Sequence, residues 1–536
     1  MHKPRKYFRR VLPFLLLLLI AAALRTVHLE GRLLEVDEAF SIRLANLELN
    51  SLIERTSLDV HPPAFYLILK LWVALFGNSL TVIRALGVFL SLLTIPACVF
   101  LFNELKKHDI ETARSEAGYP AVFAASLPAF HLLHVSAGQV ARMYSLGILA
   151  TSLSGLFLLR WIRREKKLDA VGFVFFSCLL LYTHNFGLFT VCAYFAYFLW
   201  TAMDRRRRGQ LAISSCVRSV SIFFVIALIY SPWIRVILFQ TQDVSTNYWI
   251  PDLTLELGMN AFFLWLSGLP DFGVSFWLTD ESWFSFVISV TILALLISTF
   301  PNRVSNPVVF ALTTSIVPWL GCLLHYWVFG QSILLVRCLS FANVGLILAS
   351  AVFYSSSDSK LVQRAWIAFI GLLVINSFFL QSPNLRNDSD DSIIAAMQYL
   401  KVEAREGDVI EVANPAEVLR IGYYLERYDV DVPLFCRFKH GDGHDTHVAA
   451  LSQSEIDVPA QDGIQTRWRI GFEQVFRTES DTEAYLLARE FPGNGGAAFF
   501  VRKQLNEGLT NLKNSSNNSL SFKRTACPFD TCEVIR

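Results

Sequence analysis

Several polar residues of the chain stand beside apolar segments, where charge is expensive. In order they are Asp37-Glu38 in "EVDEAFS", His61 before Pro62-Pro63 in "DVHPPAFYLILKLW", and Arg84 in "SLTVIRALGVF". Arg142 and Tyr144 follow in "QVARMYSLGIL", and Arg337 in "SILLVRCLSFANVG". A carboxylate near a low-dielectric surface is costly unless it is paired or hydrogen-bonded. One aimed at a hydroxyl can remove its proton as that oxygen attacks. Arginine forks suit phosphate oxygens, and Arg or His⁺ stabilises a departing phosphate. Taken singly, each residue has a plainer reading: Asp37-Glu38 as a solvated loop pair, the arginines as snorkelling side chains. Together they predict a base beside an anion-binding group at a bilayer surface, where a phosphate carried on a lipid is the natural anion.

Membrane-embedded elements must position these groups. Of 536 residues, 53% are hydrophobic and only 17% charged, a balance soluble domains do not show. The basic N-terminal "MHKPRKYFRR" precedes an apolar run from Val11 to Leu24 without a small-residue cleavage site, so a retained first helix is expected. Basic loops at Arg160–Lys167, Asp204–Gly209 and Asn103–His108 mark the cytoplasmic side. Satisfying all of them requires two segments not to span. One is Pro62–Gly77, only 16 residues long and carrying Lys70. The other is "MNAFFLWLSGLPDFGVSFWLTDE", interrupted by Gly268, Pro270 and Gly273. Eleven full spans result, or thirteen if both cross, with the N-terminus cytoplasmic either way. The outer face then receives Leu29–Val60, Ser136–Met143, Tyr182–Gly187, Gln240–Glu256 and Gly330–Arg337. A multi-pass protein of the inner (plasma) membrane is predicted, its transmembrane domain covering 1–380 and its first outer loop about 28–61.

From about Gln381 the chain turns polar. "DDSIIAAMQYLKVEAREG" and "PAEVLRIGYYLERY" have helical periodicity, with the short strand "DVIEVAN" between them. A small extracytoplasmic α/β domain over 381–536 is expected. Cys527 and Cys532 lie close enough in sequence to close a disulfide loop in an oxidising compartment. His440, His444 and His447 have metal-like spacing but read better as a solvated loop. His184-Asn185 stand at an outer turn, and Tyr248-Trp249 read as interfacial aromatics before sugar-stacking ones. The basic runs are short and membrane-flanking, so no nucleic-acid partner is expected.

These motifs in this order resemble the membrane glycosyltransferases of the GT-C fold. The nearest likeness is to glycosyltransferase family 39-like enzymes, which include protein O-mannosyltransferases and lipid A aminoarabinose transferases. Asp37-Glu38 match the acidic pair of that family's first extracytoplasmic loop, and His61-Pro62-Pro63 match its "HPP" or "KPP" element. Arg142, Tyr144 and Ser145 match "EARMYSL", although Val140 stands where Glu is common. The likeness covers about Val11 to Trp200 well, and Arg337 looks like the family's late outer arginine. It implies inverting transfer of a sugar from a polyprenyl-phosphate donor to a lipid, glycan or protein hydroxyl outside the cytoplasm. Asp37 would be the base and Glu38 an orienting or metal-assisting group. His61, Arg142 and Arg337 would hold the phosphate, with Arg84 and Tyr144 as further substrate contacts. No cofactor is required by the resemblance, and a divalent metal is left open. A transporter or flippase of lipid-linked glycans is the rival reading; it would place charges along a midplane path rather than at one face.

Overall fold

The computed structural model describes residues 3–385 apart from 109–118, 245–249, 270–279 and a few shorter gaps. Beyond them it describes chiefly 397–402, 409–412, 415–436, 467–475 and 482–490. Two compact units emerge: residues 1–30 with 45–385, and residues 31–44 with 386–536.

The first unit is helical, because backbone polar groups in lipid must be satisfied within the segment that crosses it. Its helices are α1 (Lys3–Thr26), α3 (Leu49–Leu58), α4 (Ala64–Phe76), α5 (Leu80–Lys106), α6 (Tyr119–Phe130), α7 (Leu132–Gln139), α8 (Tyr144–Arg164) and α9 (Lys167–Thr183). They continue with α10 (Gly187–Arg207), α11 (Ile213–Val244), α12 (Leu255–Ser267), α13 (Asp280–Ser298), α14 (Asn306–Phe329), α15 (Ser340–Ser356) and α16 (Lys360–Leu385). Among the described residues, α5, α8, α11, α14 and α16 are long and apolar enough to cross a bilayer, and α6–α7 form a sixth candidate bent by 52°. Shorter apolar stretches lie in α1 (12–26), α4, α13 (285–298) and α15. The first segment doubted on sequence holds α4, of 13 residues; the second starts within α12, also of 13 residues, and its residues 270–279 lie outside the described ones. At 1.5 Å per residue, 13 residues of helix reach about 20 Å, short of a core about 30 Å thick.

A break between helices inside lipid frees carbonyls that need donors. The α6–α7 break meets this need with side chains from two distant helices. Arg25, fully buried near the end of α1, donates to the carbonyls of Pro128 (2.8 Å) and Ala129 (2.9 Å). Its Nε donates to Ser91 Oγ on α5 at 2.8 Å. The next freed carbonyl, of Phe130, accepts from Ser377 Oγ of α16 at 2.6 Å. Beyond the break, α7 lies hard against α5: a Cβ on Gly87 would stand 2.8 Å from the Val140 carbonyl oxygen. A Cβ on Gly138 would stand 2.9 Å from that of Ser91. Farther along, a Cβ on Gly345 of α15 would stand 2.5 Å from the Ser315 amide nitrogen, so α14 and α15 also pack backbone to backbone.

In the second unit, α2 (Val36–Asn46) begins just after Glu35. The segment expected as a loop is helical here for a local reason. Glu38, in the first turn, accepts the Glu35 N–H at 3.2 Å, which is half of a capping box. Arg32 approaches both Glu35 (3.4 Å) and Glu38 (3.8 Å). The remainder carries β1 (Val409–Val412), α17 (Pro415–Tyr428), β2 (Leu434–Cys436), β3 (Arg467–Val475) and β4 (Thr482–Glu490). The sheet order is β2-β1-β3-β4; β1 is parallel to both neighbours, and β3 and β4 are antiparallel. This is the expected α/β composition, with β1 and α17 falling on the predicted strand and helix. Tyr424 of α17 is buried, and its hydroxyl accepts the Leu34 N–H at 3.2 Å. That bond ties the short N-terminal piece of the unit to its C-terminal body.

Replacing Arg25 by Met leaves the Pro128 and Ala129 carbonyls without their donor. At about 1–3 kcal/mol for each buried unsatisfied group, Arg25→Met is expected to lower the apparent melting temperature and the folded yield sharply. Size-exclusion chromatography with a thermal unfolding scan of the solubilised protein checks this.

Candidate functional site

The candidate residues of the first unit collect at one end of the bundle because their helices start or stop there. His61 precedes α4, Arg142 precedes α8, His184 ends α9, Gln240 lies near the end of α11, and Arg337 precedes α15. The basic stretches Lys106–Lys107, Arg160–Arg164 and Arg205–Arg208 lie at the other ends of α5, α8 and α10.

The His61 strand is held from three directions. Asp59, buried at the end of α3, sits with Oδ2 3.0 Å from His61 Nδ1. Gln240 Nε2 donates to the Asp59 carbonyl, and Asn185 Nδ2 donates to the Val60 carbonyl at 2.9 Å. Pro62 and Pro63 then fix the entry into α4, with Pro63 at its N-cap.

His184 is the hub. Its ring meets that of His61 edge to face, centroids 5.2 Å apart, and lies 6.3 Å from that of Tyr144. Its Nδ1 accepts the Phe186 N–H at 3.1 Å. The neutral ring therefore carries its proton on Nε2, which stands 3.6 Å from Cys338 Sγ, the neighbour of Arg337. Burial first, then the charges of His61, Arg142 and Arg337, hold its pKa well below the ordinary 6.5. A neutral histidine thus stands among His61, Arg142 and Arg337. Arg142 is itself buried, and its Nη1 approaches the Tyr66 hydroxyl at 3.4 Å.

The structure brings His61, Tyr144, Arg142 and Arg337 around His184. Arg84 is engaged elsewhere. Fully buried on α5, it donates from Nη1 to the Leu29 carbonyl just past α1. Asp37 and Glu38 belong to the second unit. There Glu38 is fully buried and helps cap α2, while Asp37 is half-buried beside it, its carbonyl accepting from Ser41 Oγ at 3.0 Å. Asp59 and Gln240 were not singled out by sequence; an acid two residues before "HPP" was the signal for the first. Tyr248, Trp249, Pro270, Gly273, the histidines 440, 444 and 447, and Cys527 and Cys532 lie outside the described residues. Among the described residues, no three His, Cys, Asp or Glu side chains gather closely enough to hold a metal ion.

His184 gives the site a pH signature. An unfolded chain takes up a proton near 6.5, whereas the native ring resists it to lower pH. Native stability should therefore fall as pH drops below about 6.5 and be flat above it. Thermal scans from pH 8 to pH 5 test this, and His184→Gln should reduce the acid-side slope.

No protein-family model matches the chain, and no curated protein matches it in sequence. Solved structures do match in fold. The crystal structure of ArnT from Cupriavidus metallidurans in the apo state superposes with a TM-score of 0.55 at 12% identity, covering 88% of this chain and 97% of that one. The same enzyme bound to undecaprenyl phosphate gives 0.52 at 12% identity, covering 92% and 99%. With its apolar helices and that superposition, the chain is a multi-pass membrane protein of the GT-C fold.

Proposed function

We propose that the chain is an inverting glycosyltransferase of the inner membrane, taking a sugar from a polyprenyl-phosphate carrier and placing it on an acceptor hydroxyl outside the cytoplasm. The observation that carries this reading is the gathering of His61, Arg142 and Arg337 around His184 at the bundle end away from the basic loops. Lysine and arginine favour the cytoplasmic side of short loops. Two arginines at the opposite end of the bundle therefore imply an anionic ligand. ArnT, whose fold the chain shares, has been crystallised with undecaprenyl phosphate, a ligand of the class proposed. In this reading the N-terminus is cytoplasmic and the C-terminal unit extracytoplasmic.

The reaction assigns one role to each group. Asp37 accepts the proton of the acceptor hydroxyl as its oxygen attacks the anomeric carbon from the face opposite the phosphate. The carbon–oxygen bond to phosphate breaks, and the polyprenyl phosphate leaves with the electron pair. Arg142, Arg337 and His61 take up the charge that develops on it. Asp59 orients His61 through Nδ1. Tyr144, beside the His184 ring, serves as a further substrate contact. Glu38 holds the first turn of α2 and so fixes the direction of Asp37. A transporter is disfavoured because these cations sit at one end of the bundle rather than along a midplane path.

Asp37→Asn should lower transfer at least about 100-fold, the scale of a lost general base, with folded yield unchanged. The readout is sugar release from a panel of polyprenyl-phosphate sugars in membranes; full activity in the variant refutes the base assignment. Arg337→Ala should chiefly raise the donor KM, about tenfold for one charge-assisted contact. An unchanged donor dependence removes Arg337 from the phosphate site.

A further inference from the structure

Helix α12 is exposed where it begins, at Leu255 and Glu256, and buried where it ends, at Trp265, Leu266 and Ser267. Gly268 closes it in the left-handed region (φ +85°), where a Cβ would stand 2.7 Å from the His131 ring. A helix end buried in this way leaves carbonyls that need donors. Distant elements supply them. His131, at the α6–α7 break, reaches the Leu266 carbonyl through Nε2 at 3.3 Å, and Asn343 Nδ2 of α15 donates to that of Trp265 at 3.4 Å. A carbonyl only accepts, so the neutral His131 ring carries its proton on Nε2.

Asn343 joins α15 to both α7 and α12. Its Oδ1 accepts from His134 Nε2 at 3.0 Å, which leaves Nδ2 for the end of α12. Its backbone N–H donates to the Leu339 carbonyl at 3.2 Å. That carbonyl has a second donor, Trp265 Nε1 at 3.0 Å. Leu339 is the N-cap of α15 and belongs to the turn that carries Arg337. In that turn the Cys338 and Leu339 N–H groups bond the Leu335 carbonyl at 3.1 Å and 3.2 Å, and the Ser340 N–H bonds that of Arg337 at 3.3 Å. The Trp265 indole thus ties the backbone beside Arg337 to a helix end that is itself pinned from two sides.

We propose that Trp265 is a positioning residue for Arg337: its indole N–H, held by the docked end of α12, fixes the turn from which the guanidinium reaches the donor phosphate. The ligand in this inference rests on the proposed reaction; the geometry rests on the bonds to Leu339. A guanidinium fork meets phosphate oxygens well only when the backbone behind it sets its direction. Trp319 supplies a comparison from the same region. Its ring packs against that of Trp265, centroids 5.7 Å apart, but its buried Nε1 has no hydrogen-bond partner among the described residues.

The test compares the full-length wild type, Trp265→Phe and Trp319→Phe in membranes, with the active member of the polyprenyl-phosphate sugar panel as donor. Both variants trade an indole for a smaller ring, but only the first loses a hydrogen bond. Trp265→Phe should raise the donor KM about fivefold, the scale of one net hydrogen bond, with kcat unchanged. Trp319→Phe should leave both constants unchanged. In an Arg337→Ala background, Trp265→Phe should add nothing further. If Trp265→Phe does not fold, Trp265→Met takes its place with the same expectations. An unchanged KM, an equal rise in Trp319→Phe, or an undiminished effect in the Arg337→Ala background overturns the proposal. A second readout needs no transfer: phenylglyoxal modification of Arg337 in the purified chain, followed by peptide mass spectrometry. Its rate should rise by a similar factor in Trp265→Phe, because the turn opens more often, and stay unchanged in Trp319→Phe. A wild type that moves no sugar refutes the reaction and leaves this rate to decide the positioning; equal rates in all three proteins overturn it.

Discussion

A guanidinium inside a lipid-embedded bundle persists only where oxygen atoms are already fixed to receive it. Arg25 satisfies that condition, and much of the first unit follows from it. The break between α6 and α7 would leave carbonyls stranded in lipid, and Arg25 with Ser377 supplies their donors. Because the break is tolerated, α7 turns to lie against α5, where Gly87 and Gly138 allow near-backbone contact. Gln139 then bonds the Leu24 carbonyl, and Ser145 closes back on that of Ala137. Arg142 stands inside this braced turn. A charge near the end of the first helix thus places another charge some hundred residues later in the chain.

Charge at the candidate site is held by the same logic with different partners. Several cations in one buried region repel one another unless an anion joins them or a neutral group separates them. His184 is the neutral group. Its tautomer is fixed by the Phe186 amide, so it presents a ring face to His61 and a proton to Cys338 without adding charge. In the proposed reaction the anion is the phosphate of the donor, and the binding energy of that contact would be available to orient the sugar carbon toward its attacker.

How much of this was legible in the sequence depends on the kind of signal. Apolar length was, since lipid enforces it: α5, α8, α11, α14 and α16 are long and apolar enough to cross a bilayer. The strand at 409–412 and helix at 415–428 were legible from periodicity alone. The roles of individual arginines were not. Arg84 and Arg142 look alike as arginines beside apolar runs, yet Arg84 donates to the carbonyl of Leu29 whereas Arg142 lies near His184. Arg25 reads as a helix-end residue because its acceptors come from a break 103 positions away. The acidic pair at 37 and 38 was read as a loop, since a capping interaction depends on backbone angles that composition does not reveal. Asp59 and His184 acquire meaning only when α9 returns beside the start of α4.

The two ends of the bundle also differ in how they treat excess positive charge, and the difference is physical rather than a matter of count. Around Glu104, buried at the end of α5, the cations Lys107, Arg163 and Arg164 lie at helix C-termini, where the dipole favours them, with side chains about one-third exposed or more. Little is lost there when no ligand is bound. At the His184 end, Arg142 is buried and stands before the first turn of α8, where the dipole favours an anion instead. An anion that arrives there gains from the arginines and from the helix N-terminus together. In the proposed reaction that gain would hold the phosphate of the donor at the reacting face.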